Sequence, residues 1–276
     1  MMMTDLQAKE LEILKVFIDI CNRLNLTYYL VCGSALGAVK YGGFIPWDDD
    51  VDLGLGREEY EIFILEAPKL LPEYLFLQNF YTDPAFPQLF SKIRDSRTTY
   101  VEKSVAHLKM NHGVYIDVFP LDGYPLTIEE QETLEAKKLG YQKKLSCVFR
   151  LPRNLKSKIG CWGRRCLGYH KHTAEILDAY TRDVSAFSTE SSHLWCNHGN
   201  WQGRLEYTPR EQYGKGTMVK FEGLDVRVPE KYDEYLTQKY GDWRADLPVE
   251  KQVGHHYYKI MDLHNPYTQY IPRSKK

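Results

Sequence analysis

The sequence predicts an α+β protein: a mixed β-sheet core flanked by helices, then a mostly helical C-terminal region. Three observations carry this. Compact apolar runs rich in β-branched and aromatic residues recur through the first 125 residues, interleaved with segments of helical period. After "DGYP" (122–125) the long segments have helical period instead. The chain has 276 residues, 43% of them hydrophobic and 26% charged, which is enough to bury a sizeable core. The expected division is a sheet-rich core with its N-terminal helix in 1–125, and a mostly helical region in 126–276 packed on that core.

Leu6, Leu11, Leu14, Ile18 and Cys21 form a helical stripe, so 5–24 reads as an amphipathic helix. "TYYLVCG" (27–33) reads as a buried strand ending at glycine. "SALGAVKY" (34–41) reads as a short helix with Ser34 at its N-cap. "VDLGLG" (51–56) is a second strand, and "REEYEIFILEAPKLL" (57–71) a helix with acids in its first turn, where the dipole favours them. Strands follow at 74–80, 89–96, 98–103 and 113–121. A capping box, Thr127-x-x-Glu130, opens a long helix over 127–146. Further on, "FEGLDVRVPEKYDEYLTQKYGDW" reads as a strand and then a helix with Pro229 in its first turn.

Net charge is −1, so no global basic field invites nucleic acid. The start of the chain lacks the pattern of a secretory signal, and no run of about 18 apolar residues exists. Six scattered cysteines fit reduced thiols better than a disulfide framework. The expected location is therefore cytoplasmic.

The chemistry is concentrated in "WDDDVDLGLG". Asp48, Asp49, Asp50 and Asp52 crowd like charge next to an apolar strand. On a strand, Asp50 and Asp52 face the same way, about 7 Å apart, and can share a divalent cation. Asp48 has the same parity. Asp49 faces away and is expected to be dispensable. Asp117, inside the apolar run "VYIDVFP", needs a partner if buried, and joins the cluster if its strand neighbours 51–56. Gly33-Ser34, between a strand and a helix, offers backbone N–H groups to a phosphate. Together these are the minimum kit for phosphoryl transfer. An EF-hand reading of Asp48 to Glu59 fails because its sixth position is Leu53 rather than glycine.

The order Gly-Ser, then Asp-x-Asp, then a later single Asp resembles the nucleotidyltransferase fold. More closely, "GSALGAVKYGGFIPWDDDVDLGLGREEYE" resembles the LicD family of phosphocholine transferases related to the fukutin proteins. "KIRDSRTTYVE" (92–102), "IDVFPLDGYP" (116–125), "YGDWRADLP" (240–248) and "HHYYKIMD" (255–262) extend that resemblance over nearly the whole chain. It implies a nucleotidyltransferase-like core and transfer of a phospho-alcohol, phosphocholine foremost, from a CDP-activated donor. The acceptor would be a sugar hydroxyl of a surface glycan or teichoic acid precursor, and CMP would leave. It further implies Mg²⁺, with Mn²⁺ as its substitute, on Asp48, Asp50, Asp52 and Asp117. Asp50, Asp52 and Asp117 would carry catalysis, with Asp117 the candidate base. Gly33, Ser34, Lys40, Lys92, Arg94 and Arg97 would meet the donor's phosphates. Two other readings stand beside it: a nucleotidyltransferase that deposits the nucleotide itself, and a metal- or glycan-binding protein without turnover.

Three features stand outside this kit. Arg150 to Thr173 holds seven Lys/Arg and no acid, with Leu155, Ile159, Trp162 and Leu167 among them. It is a candidate peripheral contact with the inner face of the membrane, suited to a lipid-linked glycan acceptor. Trp47, Trp162, Trp195, Trp201 and Trp243 are candidates for an aromatic cage around a quaternary ammonium. His255-His256 is a candidate substrate contact.

Overall fold

The computed structural model describes residues 3–149, 154–199, 203–254 and 257–270. Helix α1 (Asp5–Arg23) begins in a capping box: Thr4 Oγ1 accepts from the Gln7 N–H, and the Gln7 side chain accepts from the Thr4 N–H. There follow β1 (Tyr28–Leu30), α2 (Cys32–Tyr41), β2 (Asp52–Gly56), α3 (Arg57–Leu70), β3 (Leu75–Gln78), β4 (Ser91–Asp95), β5 (Thr99–Glu102) and β6 (Val114–Gly123). Helices α4 (Ile128–Phe149), α5 (Leu155–Cys166) and α6 (Thr173–Val184) make the helical stretch. The chain then returns to short strands and helices: β7 (Leu194–Cys196), β8 (Tyr207–Pro209), α7 (Arg210–Tyr213), β9 (Thr217–Phe221), β10 (Leu224–Val228), α8 (Tyr232–Tyr240) and β11 (Tyr258–Asp262). The fold is mixed α and β, as the sequence predicts.

The central sheet runs β1-β2-β6-β4-β3, and β7 and β8 extend it from the far end of β6. Among the described residues, β2 and β6 are the one parallel pair; their neighbours are antiparallel. Such a mixed sheet needs a crossover between β2 and β6, and the intervening α3, β3, β4 and β5 supply it. Strand β6 is buried along all ten residues, as a central strand covered on both faces must be.

Alternation along β4 and β6 sorts their side chains onto two faces. On one, Ile93, Ile116 and Val118 are fully buried in the main core, and Ser91 bonds Tyr60 of α3. Asp122 shares this parity and accepts both Nε and Nη2 of Arg57 at the start of α3, at 2.6 and 3.0 Å. The other face carries Lys92, Arg94, Tyr115 and Asp117.

The main core draws on residues far apart in sequence. Phe221, Val226, Val228, Tyr235, Leu236 and Trp243 join Phe17, Leu53, Ile116 and their neighbours in one cluster. A smaller cluster, centred on Leu134, Leu145, Leu177, Tyr180 and Val184, holds α4 and α6 together. Strand β11 pairs with β5, tying the end of the chain to its middle.

Two local expectations are corrected. Helix α2 starts at Cys32 rather than at 34, so β1 is shorter and Gly33 lies inside the helix. Its N-cap is Val31, which has no side-chain oxygen; Ser34 is not a cap at all. Pro229 stands three residues before α8, not in its first turn.

Candidate active site

The site is built on one rung of the sheet. Register places Asp52 of β2 beside Asp117 of β6, Asp117 beside Lys92 of β4, and Lys92 beside Gln78 of β3. Directly paired residues put their side chains on the same face. The Lys92 ammonium lies 2.9 Å from Asp117, 3.7 Å from Glu102, and 3.2 Å from the centre of the Tyr115 ring. The first positive partner of the aspartates is therefore a residue of the chain, reached across a strand pair that the sequence does not announce.

Asp48, Asp49 and Asp50 lie in the loop before β2, which begins only at Asp52. Two anchors hold this loop. The Gln7 side chain of α1 donates to the Asp48 carbonyl at 2.9 Å. Ser34 Oγ accepts the Asp52 N–H at 2.8 Å. Ser34 thus fixes the start of β2 with its hydroxyl, while the N–H groups of Gly33 and Ser34 belong to the first helical turn, beyond reach of an intrahelical carbonyl.

Glycine at 33 has a steric reason. A Cβ there would stand 2.6 Å from Asp48 Oδ2. Gly33→Ala is therefore expected to push the Asp48 carboxylate aside, lowering turnover at least about tenfold with little change in Tm. Steady-state rates and a melting curve check both halves; unaltered turnover sinks the role given to Asp48.

Burial and mutual repulsion raise the carboxyls of this cluster. Burial, and then the Asp117 and Asp49 carboxylates, push the Asp50 carboxyl up to about 7. Burial and the Asp50 and Asp117 charges push Asp52 up as well. Asp49, expected to face away, has Tyr100 as its neighbour: the phenol donates to its Oδ2 at 3.2 Å.

The sequence reading missed Glu10. It is 2% exposed, and its Oε2 has no hydrogen-bond partner among the described residues. Burial raises its carboxyl well above the usual range, and Asp50, Asp49, Asp48 and Asp117 add to this. A signal was present: Glu10 sits four residues from both Leu6 and Leu14, inside the row that α1 turns inward.

A pH dependence follows. Asp50 has an unfolded value near 3.8 and a folded one of about 7. A raised carboxyl contributes stability below its unfolded pKa and loses it as pH rises through the folded one. The cation-free protein should lose up to about 1.4 kcal/mol per pH unit between those values from this group. Asp50→Asn should flatten the slope. Melting curves in chelator check this; an equally steep slope in the variant contradicts it.

The other candidate cations are engaged elsewhere. Arg94 is fully buried; it donates to Gln78 and to the Gly113 carbonyl and lies 3.6 Å from Glu102. It braces the sheet and presents nothing to a solvent-borne diphosphate. Arg97 clasps Asp95 and lies over the Tyr74 ring. Lys40, at the end of α2, donates to the Trp243 and Ala245 carbonyls and pairs with Asp246. Of the cations named from the sequence, Lys92 is the one seen to meet an aspartate of the cluster, Asp117. His255-His256 and Trp201 lie outside the described residues.

The donor set suits a hard divalent cation: carboxylate oxygens in excess of local positive charge. Among the described residues, though, no group of three or more His, Cys, Asp or Glu is gathered as a metal site. The fit is therefore in donor chemistry and charge. Asp48, Asp50, Asp52 and Asp117 are the residues that would hold the ion.

Residues 25–149 match the family model "LicD/FKTN/FKRP, nucleotidyltransferase domain", a span that holds the whole carboxylate rung but not Glu10. The lipopolysaccharide cholinephosphotransferase LicD of Haemophilus influenzae is 28% identical over 255 residues, covering 89% of this chain and 92% of that protein. The ribitol 5-phosphate transferase FKRP of mouse and of human is 40% identical over 48 residues, 17% of this chain and 10% of theirs. Strands β2 and β6 carry Asp52 and Asp117 inside the matched span, and the chain is similar to the LicD-type phosphotransferases, its match to their nucleotidyltransferase domain lying in residues 25–149.

Proposed function

We propose that this enzyme transfers a phospho-alcohol, phosphocholine foremost, from a CDP-activated donor to a sugar hydroxyl, in an Mg²⁺-dependent reaction that Mn²⁺ also supports. The observation that carries the reading is the rung Asp52–Asp117–Lys92, set beside the first turn of α2. The acceptor oxygen attacks the phosphorus that bears the alcohol. A new P–O bond forms, the bond to CMP breaks, and CMP departs with its electron pair. The hydroxyl proton passes to a carboxylate of the cluster. A divalent cation, when bound, supplies positive charge to the diphosphate.

The chain's own groups do the rest. First-turn N–H groups at Gly33 and Ser34 orient a phosphate. Lys92, held by Asp117, adds a fixed positive charge. Trp47, next to the Asp run and edge-on to Tyr41 at 6.2 Å, is the described tryptophan best placed to meet a quaternary ammonium. In this reading the enzyme works in the cytoplasm, at the inner face of the membrane, on a glycan or lipid-linked glycan such as a teichoic acid precursor. Among the described residues, no helix is long and apolar enough to cross that membrane.

The test is to incubate the protein and Mg²⁺ with CDP-choline, CDP-ribitol or CDP-glycerol and candidate glycans. CMP release with one donor and loss of it in chelator support the reading. Silence with all three donors, where CTP instead yields pyrophosphate and a nucleotidylated glycan, supports nucleotidyl transfer.

A further inference from the structure

Helix α5 presents an apolar stripe to solvent. Leu155, Ile159, Trp162 and Cys166 recur at i, i+4, i+7 and i+11, which places them on one face. Leu155, Ile159 and Trp162 are 74%, 61% and 68% exposed, and Leu167 just beyond is 68% exposed. A packed helix would turn this stripe inward. Here the inward side is a different one: Cys161 Sγ and the Arg165 guanidinium meet the Cys147 carbonyl on α4.

The flanks of the stripe are basic. At 100° per residue, Lys156 falls on one side, and Lys158 and Arg165 on the other. Arg164 and Lys171 add charge, and no acid occurs between 154 and 173. Among the described residues, none of these five cations forms an ion pair. Since the whole chain is close to neutral, this positive field is local.

We propose that α5 docks on an anionic lipid bilayer, its Leu155–Ile159–Trp162 stripe entering the headgroup boundary and its lysines and arginines meeting lipid phosphates. Charge complementarity selects this occupant. Long basic side chains flanking the stripe keep their charge in the interface while their stems cover apolar surface, and an indole suits the same depth. An apolar protein groove would satisfy the stripe but leave the cations unmatched. The inference does not depend on which phospho-alcohol is moved, or on turnover.

The experiment is co-sedimentation of the full chain with vesicles of phosphatidylcholine alone or mixed with phosphatidylglycerol. Binding is expected only with phosphatidylglycerol present, weakening as salt is raised. Ile159→Ser/Trp162→Ser and Lys156→Glu/Lys158→Glu should each lower partitioning at least about tenfold. All four side chains are exposed, so circular dichroism should show unaltered folding. No partition onto the mixed vesicles, or wild-type partition by both variants, overturns the proposal. So does gel filtration in which Trp162→Ser converts a dimer to a monomer, which would make the stripe a contact between copies.

Discussion

Asp52→Asn is expected to cut CMP release by at least about a thousandfold while leaving the cation-free protein as stable as the wild type or more so. Both halves come from one geometry. The Asp52 side chain stands beside Asp117 on the next strand and feels the Asp50 and Asp48 charges. Its own charge is disfavoured by burial, so removing that charge relieves repulsion. The backbone is untouched, since Ser34 Oγ holds the Asp52 N–H whatever the side chain. Isothermal titration with Mn²⁺ should show weakened binding in the same variant. A variant that turns over normally, or one that unfolds, would contradict this assignment.

Lys92→Met has the largest expected effect on stability, a loss of about 3–5 kcal/mol. Lys92 is buried, and its ammonium serves Asp117, Glu102 and the Tyr115 ring together. Methionine fills similar space but removes the ammonium that Asp117 meets at 2.9 Å, while Asp52 still stands beside Asp117 on β2. Mg²⁺ should then raise the Tm of the variant more than that of the wild type, because the ion replaces part of the lost charge. The double variant Lys92→Met/Asp117→Asn should recover most of the loss. Urea unfolding of all three proteins measures this. A Lys92→Met protein within about 1 kcal/mol of wild type would show that the lysine is not what balances the rung.

Much of this was legible in residue patterns. The α1 stripe, the strand carrying Asp52 and the lone Asp117 in an apolar run all follow from periodicity and from the cost of burying a charge. Their convergence needed only that β2 and β6 be neighbours, which they are. What stayed hidden depends on register between distant segments. Lys92 and Arg94 look alike in "KIRDS", yet one reaches Asp117 and the other is sealed between Gln78 and Gly113. Lys40 reads as a phosphate ligand until the 243–246 segment folds onto it. Glu10 was visible as a charge in an inward row, but its acidic neighbours are contributed from residue 48 onward. The return of residues 213–243 to the main core, and of β11 to β5, rests on contacts that no local pattern encodes.

A phospho-alcohol, rather than a nucleotide, is the group expected to move at the Asp52–Asp117–Lys92 rung. Phosphorus NMR of a reaction containing the enzyme, Mg²⁺, a CDP-alcohol and its glycan acceptor follows both phosphorus atoms at once. The account predicts free CMP and a phosphodiester joining the alcohol to the glycan, both absent with Asp52→Asn. A cytidylyl group on the glycan, or the same products formed by Asp52→Asn, would contradict it.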